Sequence, residues 1–140
     1  MSFARSALAG AAAAGAWAAV EPLDRRVLRT DYSDVAMLGK LVTRSPAWPL
    51  AGLALHTVNG ACFGLAFDRA RRRTGWGSQR VAIGLALAEN FALFPLGAVI
   101  DRLHPARGER GLAPLFTSRG LAQATFRHAL FGAVLGRLAR

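Results

Sequence analysis

The chain has one cysteine, Cys62, in 140 residues, which excludes an intrachain disulfide framework and a thiolate metal motif. Lysine is reduced to Lys40, and acids are scarce, with 8 Asp+Glu against 18 Lys+Arg. Also missing are a Gly-rich phosphate loop, an HExxH helix and a plausible nucleophile–base pair. The expectation is therefore a protein that is not an enzyme, with no resident cofactor. Long polar or low-complexity stretches are absent too, so the +10 charge does not belong to a disordered basic tail.

What is present is apolar: 53% of residues, with a mean hydropathy of +0.28. These residues fall in four blocks, about 7–20, 50–67, 81–100 and 121–138. A bilayer core needs roughly 20 apolar residues in a helix. The third block meets that length, and the second and fourth meet it with their flanks. The first is alanine-rich and reaches it only over about 3–23. It also resembles a secretory signal, with Arg5 and a possible Ala16-Trp17-Ala18 cleavage site. Its weak hydrophobicity favours a retained span. Backbone exposed to lipid must be helical, so the expected fold class is all-α, a polytopic membrane protein with four transmembrane helices in a single domain. A segment over about 31–44 carries Val35, Leu38, Leu41 and Val42 on one side, opposite Lys40 and Arg44, and reads as an interfacial helix in the first external loop.

Most arginines lie between the blocks. Arg69, Arg71, Arg72, Arg73 and Arg80 crowd the short second connection, which makes it cytoplasmic by the positive-inside rule and puts both termini on the same side. Seventeen of the 18 basic residues are explained as topology and headgroup contacts. A nucleic-acid partner is thereby not expected, and the bilayer is. Trp17, Trp48 and Trp76 suit interfacial anchoring. Abundant Ala, Arg and Gly beside a single Lys points to a bacterial source and its cytoplasmic (inner) membrane.

The second and fourth blocks repeat a pattern. His56-Thr-Val-Asn-Gly60-Ala-Cys-Phe-Gly64 and His128-Ala-Leu-Phe-Gly132-Ala-Val-Leu-Gly136 both read H-x3-G-A-x2-G. A duplicated helical hairpin follows, with its halves related by an axis along the membrane normal. Spacing of i, i+4 and i+8 makes Gly60, Gly64, Gly132 and Gly136 two small-residue packing faces. They are expected to meet each other or a neighbouring subunit, giving a homo-oligomer.

Polar residues inside the blocks gather at one depth. His56, Asn59, Glu89, Asn90, Arg127 and His128 fall in a layer about 8 Å thick at 1.5 Å rise per residue. Charged groups at this depth are costly and normally face the bundle interior. The favoured expectation is a transport or channel-like protein binding a small ion, proton or polar solute there. One alternative is b-type haem, or electron transfer, on His56 and His128, with a His56/His128/Glu89 metal set beside it. A second is an accessory subunit with a structural Glu89–Arg127 ion pair. His104 is expected to be an ordinary loop residue.

Overall fold

In the computed structural model, which describes residues 2–140, the chain is all-helical, with no strand among the described residues. α1 spans Phe3–Val27 and starts at Ser2, whose hydroxyl accepts the Arg5 N–H at 3.3 Å. It runs on past the expected end near residue 23 and carries Pro22 within it. α2 covers Asp34–Val42 between Ser33 and Thr43 caps, shorter than the 31–44 segment. α3 is Trp48–Thr74 and closes on Gly75 at φ +68°, a left-handed cap that glycine adopts without a Cβ clash. α4 (Ser78–Leu93) continues through a 3-10 turn at Phe94–Leu96 into α5 (Gly97–Leu103). Pro95 sits in that turn because it lacks the N–H an α-helical ladder needs. α6 is Ser118–Leu138, capped by Thr117, which accepts the Gly120 N–H at 3.0 Å.

Three of these rods are long and apolar enough to cross a membrane: Phe3–Val27, Trp48–Thr74 and the composite Ser78–Leu103. Their outward faces stay apolar. Leu50, Leu53 and Val58 on α3, and Phe91, Leu96 and Val99 on α4–α5, are exposed. An apolar surface of this extent marks a lipid or partner contact, and with the three rods it suggests a membrane location. α6 does not reach the same hydropathy, because Gln123, Arg127 and His128 interrupt it. Gln123 and Arg127 are each about 1% exposed, so these polar groups face protein.

α1 packs most extensively on α3, α4 on α6, and α1 on α6 joins the two pairs. Each glycine face is filled from within its own pair. A Cβ on Gly60 would fall 2.6 Å from the Gly10 carbonyl oxygen, and one on Gly64 would fall 2.1 Å from that of Ser6. On the other side, Gly132 and Gly136 lie against the backbone of Ile83 and Gln79. The two faces therefore do not meet each other, and within the chain they are already occupied. α1 answers them with alanine: Ala9, Ala13 and Ala14 are buried beside Gly10. The weak hydrophobicity of the first block is thus the composition of a helix that must come close to its neighbours.

α2 lies over α3 by the same device, Gly39 and Gly52 each being seated against the other helix's backbone. This turns Lys40 inward, contrary to the expected stripe, and leaves Leu41 and Val42 exposed. The Lys40 ammonium donates to the Arg110 carbonyl at 2.8 Å, pairs with Glu109 at 3.2 Å and stands 5.1 Å over the Trp48 ring.

The segment after α5 interlocks with the α1–α2 connection. Tyr32 bridges Leu112, and the Asp31 carbonyl accepts the Ala113 N–H at 2.9 Å. The Asp31 carboxylate accepts the Gly111 N–H at 2.9 Å and pairs with Arg25. These contacts, the Gly111 N–H foremost, hold the Asp31 carboxyl below the usual aspartate value. A carboxylate with a lowered folded pKa adds stability above its unfolded pKa, and that stability is lost as pH falls through the folded one. Acid should therefore loosen this cap. In detergent the melting temperature of wild type should drop more than that of Asp31→Asn between neutral pH and pH about 3, since only the former has the carboxylate to lose. Parallel curves for the two proteins would refute this role.

Candidate functional site

All six residues of the polar layer, His56, Asn59, Glu89, Asn90, Arg127 and His128, line one cavity of about 280 Å³. It lies among α1, α3, α4–α5 and α6, with α2 contributing Asp34, Met37 and Leu38. Its walls are mainly apolar and aromatic, including Trp17, Phe63, Phe94 and Phe131. A mostly apolar cavity with a few convergent polar groups is the usual form of a small-ligand site.

Trp17 organises the floor. From the middle of α1 its indole meets His56 at 5.3 Å and His128 at 4.6 Å between ring centroids, edge-on to both. Its Nε1–H donates to Asp34 Oδ2 at 3.1 Å. The indole therefore stands in contact with both imidazoles. The expected His56/His128/Glu89 metal set is not assembled: among the described residues no three His, Cys, Asp or Glu converge as ligands.

The ion pair expected between Glu89 and Arg127 is also corrected. Arg127 is bound instead by three acids from the other hairpin and its loop. Its Nε–H and one Nη2–H donate to the two oxygens of Asp24 at 2.5 and 2.6 Å. Nη1 reaches Asp34 at 2.7 Å and Glu21 at 3.4 Å, and Nη2 also donates to the Tyr32 carbonyl at 3.2 Å. All five guanidinium N–H groups end on protein oxygens. Gln123, one turn before Arg127, adds its amide to Asp24 at 2.8 Å and to the Tyr32 carbonyl at 3.3 Å. Glu21 anchors α2, accepting the Asp34 N–H at 2.9 Å and the Ser33 hydroxyl.

Glu89 is left beside His128, with 3.8 Å between carboxylate and Nε2. The Nδ1–H of His128 donates to the Ala124 carbonyl at 2.7 Å. A carbonyl only accepts, so in the neutral ring the Nε2 facing Glu89 carries the lone pair. His56 is about 6% exposed, and its other ring nitrogen bonds the Ala14 backbone, while Nε2 is buried with no partner. Asn90 donates to Thr125 at 3.0 Å, linking α4 to α6. His104 is a loop residue as expected. Its Nε2–H donates to the Met37 carbonyl at 2.9 Å while Nδ1 accepts the Ala106 N–H at 3.1 Å.

Sequence reasoning missed Trp17, Glu21, Asp24, Asp34 and Gln123. One signal was available. Trp17, Glu21 and Asp24 are spaced i, i+4, i+7, and Gln123 and Arg127 are spaced i, i+4, so each set shares one helix face. Asp24 joins its set only if α1 is carried past the expected end near residue 23. Compared with known proteins, the chain matches no family model, no curated protein and no solved structure.

Proposed function

We propose that the chain is a four-span protein of the bacterial inner membrane, transport or channel-like, whose central cavity binds a small polar solute, ion or proton. The observation that carries this reading is the convergence of the intramembrane polar residues on one cavity, with a buried His56 nitrogen left unbonded there. α6 supplies the fourth span: its 21 residues reach about 31 Å at 1.5 Å per residue. Its low hydropathy suits a helix whose polar groups are enclosed by the other three. Both termini are cytoplasmic in this arrangement. Arg5, the Arg69/Arg71/Arg72/Arg73 cluster, Arg80, Arg137 and Arg140 share one end of the bundle with a single acid, Asp68. At the other end basic residues are matched by Asp31, Asp101 and Glu109, in part as ion pairs.

A second reading, an accessory subunit with a structural polar layer, has one observation in its favour, the complete internal bonding of Arg127. Proteoliposomes separate the two. Wild type should dissipate an imposed pH gradient or admit a small solute faster than empty vesicles. Glu89→Gln, with an unchanged circular-dichroism spectrum, should lower that rate about tenfold, the scale on which one essential proton-handling group acts. Wild-type vesicles no leakier than empty ones to protons and to small solutes of either charge would sink transport and leave the structural reading.

A further inference from the structure

The cavity's polar groups are unequal in kind, and this bears on what it binds. Arg127 is the one fixed cation in the wall, and its five donors are all spent on Asp24, Asp34, Glu21 and the Tyr32 carbonyl. Arg127 therefore has no donor left for an incoming anion. Acceptors are left over. His56 Nε2 is buried and unpartnered. Glu89 and the His128 Nε2 lone pair face each other at 3.8 Å, two acceptors with no donor between them. The formal charge points the same way: three carboxylates surround one guanidinium, and Glu89 adds another.

Resting on the reading of this cavity as a binding site, we propose that its ligand is a small organic cation, a protonated amine carried on an apolar body. The ammonium donates to Glu89 and to His128 Nε2, which supplies that facing pair of acceptors with the hydrogens it lacks, and His56 adds a further acceptor to the same wall. The apolar body lies against Trp17, Phe63 and Phe131, whose rings also attract a cation. A volume of about 280 Å³ admits one aromatic ring or a short alkyl chain, not a larger drug-sized molecule. The choice of sign opposes the protein's overall charge of +10, so it must be made locally, by the wall itself.

Benzylamine and benzoate, nearly equal in size and opposite in charge, test this by calorimetric titration of the full chain in nanodiscs at neutral pH. Saturable binding of benzylamine at least about tenfold tighter than benzoate is the expected result, a difference of about 1.4 kcal/mol. Glu89→Gln should remove that preference, and Glu109→Gln, on the outer cap, should keep it. Equal binding, tighter benzoate, no saturable benzylamine binding, or a preference unaltered by Glu89→Gln would each overturn the proposal. Should Glu89→Gln fail to fold, the wild-type pair of probes decides alone. Binding of benzylamine without flux in liposomes removes transport and leaves the amine site standing. Flux without amine binding does the reverse.

Discussion

Arg127→Ala should be the most damaging single side-chain deletion in the protein, costing about 3–5 kcal/mol, the range for removing one partner of a buried ion pair. The magnitude follows from what remains. Glu21 and Asp24 are each about 4% exposed, and without the guanidinium they are left with Asp34 as mutually repelling acids in an apolar bundle. Protonation would relieve part of this, which keeps the loss finite. α2 is released as well, because its first turn is held through Glu21 and Asp34 to the same cation. Arg127→Lys keeps the charge but has three donors on a flexible stem for acceptors that now take five, and should fall between the two. The reading is thermal unfolding in one detergent, with a drop of roughly 10 °C or more for Arg127→Ala. Asp24→Asn combined with Arg127→Gln should recover part of that drop, since acid and cation leave together. An Arg127→Ala midpoint indistinguishable from wild type would remove the cluster from any account of stability.

Gly10→Ala should come next, although it adds only a methyl group. Its Cβ would sit 2.0 Å from the Gly60 carbonyl oxygen and 2.9 Å from the Gly64 Cα. Both obstacles are backbone, so no rotamer change gives relief and α1 must move off α3. Overpacking of this kind costs about 1–3 kcal/mol, and occasionally more. Rigid neighbours place this case at the upper end. Gly15→Ala is the internal control. It lies in the same helix with nothing within 4 Å of the added carbon, so the gain in helix propensity, about 0.5–1 kcal/mol, is unopposed. The pair should move in opposite directions on the same melting assay. If they shift alike, α1 and α3 are not in contact at Gly10.

Much of the architecture was legible in the sequence because long apolar helices announce themselves by length and composition. Three blocks became spanning-length rods, the alanine-rich first block among them as α1. It runs beyond the expected end near residue 23, because the one N–H missing at Pro22 is tolerated near a helix end and the ladder continues to Val27. Asp24 lay beyond that end, and Glu21, at its edge, was left out of the polar layer, so Glu89 looked like the one acid available to Arg127. Pairings across 93 to 106 residues leave no trace in local periodicity. The glycine faces were legible as faces, but i, i+4 spacing says only that a neighbour comes close. It does not say which one, and here α1 and α4 fill them. The six polar positions were readable from depth alone. How their donors and acceptors divide was not, since that depends on which oxygens reach Arg127 first.

The cation that neutralises α1 lies 103 residues downstream of Asp24. During synthesis, the first helices are therefore made with these acids uncompensated, and they stay so until the last helix is added. The glycine contacts can close each hairpin as it emerges, but the charge cluster can form only when the chain is nearly complete. Arg127 thus acts as the final clasp of assembly, and an unfinished chain carries its own mark of incompleteness, a carboxylate cluster without its cation.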